Sequence, residues 1–214
     1  MDEEITIIDS NTRNEKIKIF FNNNKKKFLV GFSIIFIILL SYFTFGEIKK
    51  KKKIELANQF SLIKINFDTE SKKTTIKKLT EIVNRNDTTY SPLALYYIID
   101  NNLLDDKDEI NNLFNKLINE TKLQEEIKNL IIYKKGLFNS DFISENDLLQ
   151  ILNPIINSES IWRSHALQLL AEYFYSKNEK EKAKKIYKEI VSLKNVNSTI
   201  LKESKKILNR ELSE

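Results

Sequence analysis

Cysteine is absent from this chain, and its 214 residues include only three glycines, two prolines, one tryptophan and one histidine. Without cysteine there is no disulfide framework, thiolate nucleophile or cysteine zinc site, and the redox compartment stays open. Gly31, Gly46 and Gly136 stand in no Walker or dinucleotide spacing, which excludes a phosphate-cradling loop. So few turn formers argue against a many-stranded β architecture and for helices joined by short polar loops. His165 alone cannot build a three-histidine zinc site. A Ser-His-Asp constellation would have to use it without any Gly-x-Ser-x-Gly elbow. The expectation is therefore a non-enzyme with no catalytic residue, no metal, no cofactor and no small-molecule substrate.

An excess of charge is also missing from most of the chain. The 35 Lys and Arg face 30 Asp and Glu, but from Ile54 onward the counts are 24 and 24. Such a mixed, neutral surface has no footprint for nucleic acid. The surplus is local: Lys25, Lys26 and Lys27, then Lys49 to Lys53. Between these two groups lies Phe28 to Phe45, FLVGFSIIFIILLSYFTF, eighteen residues without a charge. At 1.5 Å per residue it makes a helix of roughly 27 Å, close to the ~30 Å hydrocarbon core of a bilayer. A cleaved signal peptide fits poorly: the polar lead is long, the apolar run exceeds the usual length, and no small-x-small site follows. The reading is an uncleaved signal anchor. Its orientation is not decided by charge, because the lysines on the two flanks are nearly level.

The expected organisation is a short tail over 1–27, part helical, with Ile17-Ile19-Phe20-Phe21 forming an amphipathic turn or two that ends at Asn22-Asn23-Asn24. The span follows over 28–45, a lysine-rich exit and leading helices over 46–90, and helical hairpins with a capping helix over 91–214. Leu56, Phe60, Ile63 and Phe67 make a narrow stripe that needs a partner, broken at Asp68-Thr69-Glu70-Ser71. Ser91-Pro92 reads as a helix start with Ser91 as N-cap, in a helix ending near Leu104. Asp105 to Glu109 suits the positive end of a helix carrying Ile110, Leu113, Phe114, Leu117 and Ile118. Ile127, Leu130, Ile131 and Leu137 mark the next helix, with a break at Gly136 to Asp141. Ser144 and Asp147 then form a capping box, and Pro154 is expected to kink or end that helix. A last helix from about Ser198 carries Leu201, Leu208 and Leu212.

Between these, Trp162, Ala166, Leu169, Leu170 and Tyr173 line one helix face. Lys177-Asn178-Glu179 turns the chain, and Ala183, Ile186, Tyr187, Ile190 and Val191 line the next. Units of about 30 to 38 residues point to antiparallel hairpins stacked side by side. Leu170-Ala171, Phe174, Asn178, Ala183 and Tyr187 occupy the places of a tetratricopeptide repeat: small residues let two helices approach and aromatics fill the wedge between them. Leu167 stands where Trp is usual and Ile190 where Ala is usual. The expected fold class is thus all-α, one N-terminal transmembrane helix followed by a tetratricopeptide-like hairpin domain.

The layout of tail, span, lysine-rich exit and hairpins containing Ile161-Trp162-Arg163-Ser164-His165-Ala166 resembles the YfgM-like family of ancillary SecYEG translocon subunits. That resemblance implies an inner-membrane protein with a cytoplasmic N-terminus and a periplasmic domain, partnered by the Sec translocon and periplasmic chaperones. Two other roles stay open: a scaffold in cell division or envelope assembly, and, with reversed topology, a cytoplasmic adaptor. Trp162 wedged between hairpins and Arg163 paired with an acid would be structural. A helical-repeat domain works through the face lined by the first helix of each hairpin. Alignment on Leu170-Ala171 puts His165, Gln168, Glu172 and Tyr175 on that face as candidate partner contacts.

Overall fold

The computed structural model describes residues 2–67 and 71–210, and among these it contains nine α-helices and no strand. They are α1 (Asp2–Ile65), α2 (Lys72–Val83), α3 (Tyr90–Asp100), α4 (Lys107–Glu120), α5 (Glu125–Asn139), α6 (Glu145–Ile156), α7 (Arg163–Ser176), α8 (Lys180–Ser192) and α9 (Ser198–Arg210). The chain divides into two compact units, 1–55 and 56–214. Of the expected pattern breaks and stripes, Asp68 to Glu70 and Leu212 lie outside the described residues.

In the first unit α1 continues where an end at Asn22-Asn23-Asn24 was expected. The asparagines join the helix instead of stopping it. Asn24 Nδ2 donates to the Phe20 carbonyl one turn back, 2.9 Å, and the Phe21 and Phe28 rings stack across the triplet with centroids 4.7 Å apart. The eighteen-residue apolar window of α1 is 0% buried and long and apolar enough to cross a membrane. Its serine and threonine hydroxyls are already satisfied: Ser33, Ser41 and Thr44 donate to the carbonyls of Leu29, Ile37 and Leu40 at 2.8 to 2.9 Å. None of these three groups needs water, which suits hydrocarbon.

The second unit holds two hydrophobic clusters that meet on α5, where Ile131 belongs to the first and its neighbour Ile132 to the second. The first cluster finds the partner that the α1 stripe requires. Ile63 is buried, and Leu56, Phe60 and Phe67 pack against α2 to α4 residues such as Leu79, Leu95 and Phe114. Phe60 and Phe67 meet the Tyr97 ring edge-on at 6.0 and 5.6 Å. Because α2 packs against α3, the packing runs across the expected boundary at 90/91. The second cluster joins α6 to α9 around Leu148, Leu152, Leu167, Phe174 and Tyr187.

The helix ends show how so little glycine suffices. Every described residue with positive φ outside glycine is asparagine: Asn86 (53°), Asn102 (49°) and Asn178 (64°). After α3, Asn102 N–H donates to the Ile99 carbonyl and Leu103 N–H to the Ile98 carbonyl, 3.0 and 2.9 Å. After α7, Asn178 and Glu179 do the same to Tyr175 and Phe174. Both are Schellman ends with asparagine in the left-handed position. At the starts, Asp106 Oδ1 accepts from the Asp108 and Glu109 amides. Ser144 caps α6 as expected: its hydroxyl accepts from the Asp147 amide (3.3 Å) and donates to the Asp147 carboxylate (2.6 Å), so the capping-box acid meets the cap through the hydroxyl.

Four local expectations are corrected. Ser91 lies inside α3, not at its cap. Its buried hydroxyl donates to the Ile82 carbonyl (2.7 Å) and accepts from the Asp87 amide (2.9 Å), tying α2 to α3, while Asp87 Oδ1 caps the Thr89 and Tyr90 amides. α3 ends at Asp100 instead of Leu104 because the Asn102 turn intervenes. α5 passes through Gly136 to Asn139, and Ile127 and Leu137 of its predicted stripe are exposed. Gly136 marks a close approach, not a break: a Cβ there would sit 2.5 Å from Leu152 Cδ2. Finally, α6 runs two residues past Pro154, since a proline in the last turn forfeits one bond only.

Candidate functional site

From α2 to α9 successive helices pack against one another, and α7 additionally packs against both α5 and α9. The polar side chains show the spacing of this stack. Asn86 with Glu120, Ser160 with Glu126, Lys182 with Glu145 and Gln168 with Glu203 hydrogen-bond across 34 to 37 residues. One hairpin's length separates each pair, including those in the first half of the domain, where the small-plus-aromatic pattern is weak.

The α7 hairpin is built as its residues dictate. Leu170, Ala171, Phe174, Ala183 and Tyr187 are all buried, Ala171 and Ala183 have no exposed surface, and α7 and α8 are the most extensively packed pair of helices. Small side chains there let the two backbones close on each other. Trp162 stands just before α7, half-buried, with its ring stacked on Tyr133 of α5 at 5.9 Å. Arg163 reaches Glu189 of α8 at 3.4 Å, although its Nε is buried without a partner.

Of the four candidate contact residues, three form one connected strip. The His165 ring lies 5.0 Å from Trp162 and 5.8 Å from Tyr133. Gln168 Nε2 donates to Glu172 (2.8 Å) and to Glu203 of α9 (3.2 Å). His165, Gln168 and Glu172 therefore occupy the side of α7 that looks toward α5 and α9. Tyr175, 37% exposed, continues the same helical face one turn on.

Burial lowers the pKa of His165, and the nearby Ile161 carbonyl offsets part of that; Nδ1 itself has no hydrogen-bond partner in good geometry. Burial raises Glu172, the Gln168 amide pulls it back down, and the Glu203 carboxylate raises it again. Tyr133 is raised by burial and by the Glu172 charge. Around neutral pH the strip thus presents a neutral imidazole and aromatic rings at one end and two carboxylates sharing one amide at the other. Beside the aromatic end is an open cavity of about 530 Å³, lined among others by Ser160, Ile161, Trp162, His165, Lys194 and Val196. This surface has the features of a docking face, apolar anchors bordered by hydrogen-bonding groups.

Tyr133, Glu203, Ser160 and Lys194 were not singled out in the sequence. Tyr133 precedes His165 by 32 positions and Glu203 follows Gln168 by 35, so a search at the hairpin period would have found both. Compared with models of protein families, with curated proteins and with solved structures, the chain matches none.

Proposed function

We propose that this protein is a single-span, membrane-anchored protein-binding module, with the α5–α7–α9 face as its docking surface. The observation that carries the reading is the combination in one chain of a charge-free, fully exposed apolar helix segment and a helical domain whose side chains pair at hairpin spacing. Neither half suits an isolated soluble enzyme. A lone uncharged span has nothing to transport through it, and stacked hairpins work by offering an extended face. The tetratricopeptide-like packing of Leu170, Ala171, Phe174, Ala183 and Tyr187 supports the same role.

By its resemblance to the YfgM-like layout, the module belongs in a bacterial inner membrane, with its domain in the periplasm beside the Sec translocon and periplasmic chaperones. A photo-crosslinking residue at Gln168 or Tyr175, activated in intact cells, is expected to trap translocon subunits or periplasmic chaperones. Recovery of division or outer-membrane assembly proteins alone would overturn that assignment in favour of an envelope scaffold. The near-level lysine flanks leave a second reading open, a cytoplasmic adaptor of reversed topology. Protease added to spheroplasts separates the two: digestion of the domain at the intact inner membrane is expected, and survival until that membrane is broken would place it in the cytoplasm.

A further inference from the structure

The lysines that follow the apolar segment have a geometry beyond what anchoring requires. α1 remains helical through Lys49 to Lys53, all five are exposed, and none has an ion-pair partner among the described residues. Successive residues on an α-helix are turned by 100°, so five in a row point in every direction around the axis, within about 6 Å of its length. They form a closed ring of positive charge. Lys49 lies four residues past Phe45, roughly 6 Å along the helix from the edge of the apolar segment, which is the depth of the headgroup layer. Lys27 is 22 residues before Lys49, or about 33 Å, so the two lysine groups sit one bilayer core apart.

They differ in arrangement. Lys25 to Lys27 cover only about 200° of the circumference, and the stacked rings of Phe21 and Phe28 lie in the remaining arc. A helix held by one span cannot turn a five-lysine ring away from the lipid surface. Whatever its rotation, some of those ammonium groups meet the headgroups.

We propose that Lys49 to Lys53 form a binding ring for anionic phospholipid headgroups, gathering a shell of negatively charged lipid around the point where α1 leaves the membrane. This rests on the anchored reading above. Each lysine at such a surface favours anionic lipid about five-fold, equivalent to ~1 kcal/mol, so the ring as a whole is expected to select it well beyond five-fold at low salt.

The test uses the full chain in phosphatidylcholine vesicles containing trace spin-labelled phosphatidylglycerol or phosphatidylcholine. The fraction of each label immobilised at the protein is read by electron paramagnetic resonance. Labelled phosphatidylglycerol is expected to be enriched at least five-fold over phosphatidylcholine. Replacing all five lysines by glutamine (Lys49→Gln through Lys53→Gln) is expected to abolish the preference, and replacing Lys25 to Lys27 to reduce it less. Equal immobilisation of both labels, or a preference unchanged in the five-glutamine variant, would overturn the proposal. So would a preference abolished by millimolar inorganic phosphate but not by chloride of equal ionic strength, the sign of a free-anion site. Carbonate extraction of the same vesicles keeps the two claims apart. Retained protein without lipid selection removes the ring alone, whereas extracted protein removes the anchor and the ring with it.

Discussion

The two hydrophobic clusters of the helical domain have similar ingredients and different logic. In the second, from α6 to α9, α7 buries eight residues on one broad face and α8 a narrow stripe of Ala183, Tyr187 and Ile190, with Ala171 and Ala183 fully buried. The first, from the end of α1 to α4, buries equally large side chains, Phe114, Leu95 and Leu79 among them, and its α2 and α4 bury narrow stripes, but α3 carries apolar residues on several faces. α3 exposes Leu93 and half-buries Tyr96 and Tyr97 while burying Leu95 and Ile98. What orients it is polar, the Ser91 bridge between the Ile82 carbonyl and the Asp87 amide. Alternation differs too: α2 packs against α4 in the first cluster, whereas α7 packs against α5 and α9 in the second. A stack of hairpins can therefore hold one spacing while its segments obtain their register from different interactions.

The largest way to break this comparison is to empty each cluster in turn. Tyr187→Ala and Phe114→Ala both remove fully buried rings, and each is expected to cost about 3–5 kcal/mol in urea unfolding followed by circular dichroism. A much smaller loss for either would mean that its cluster is loosely packed. Next in size is the polar bridge. Ser91→Ala leaves a buried carbonyl and amide without their partner, an expected loss of about 1–3 kcal/mol. The exposed cap mutation Ser144→Ala in the second cluster should cost only about 1 kcal/mol. Equal losses would remove the distinction between polar and apolar organisation.

The asparagine turns test whether the two clusters share a device. Asn102→Ala and Asn178→Ala are each expected to destabilise by about 1–2 kcal/mol, because a Cβ-bearing residue without an Asn side chain disfavours positive φ; Asn→Gly should be tolerated at both. A finer test is Ile98→Val combined with Ile190→Val. Singly each should cost about 0.5–1.5 kcal/mol, and together they should add if the clusters do not share contacts. The smallest effect concerns pH. The His165 pKa is depressed in the fold, so the stability it contributes is present above its unfolded pKa and lost as pH falls through the folded value. His165→Phe should therefore flatten the decline in stability from pH 7 toward pH 5, against the common background of Glu172, Glu203 and Tyr133.

Much of this architecture is legible in the residues. The apolar segment, the stripe Leu56-Phe60-Ile63-Phe67, the cap at Ser144 and the α7–α8 hairpin each follow from local chemistry: periodic burial, side-chain caps and a charge-free run. Gly136 and Ser91 were legible only as punctuation, one as a break and the other as a cap. In the fold both are contacts, Gly136 against Leu152 and Ser91 against the Ile82 carbonyl. A residue's identity does not reveal whether its small size serves a turn or a neighbour.

The candidate face divides in the same way. His165, Gln168, Glu172 and Tyr175 follow from helical geometry on α7, because residues that avoid a buried stripe must share the opposite side. That Tyr133 would stack on Trp162, and that Gln168 would reach Glu203, was decided by how neighbouring hairpins align. By itself the sequence determined that this protein is helical, that it carries one membrane-length apolar segment, and where its clearest hairpin closes, since these depend on spacings within one or two helices. Only the tertiary structure decided which helices alternate on a face, where the two clusters meet, and which side chains complete the strip. Those relations join residues some 28 to 37 positions apart, where no local period or cap carries the information and only packing selects the partner.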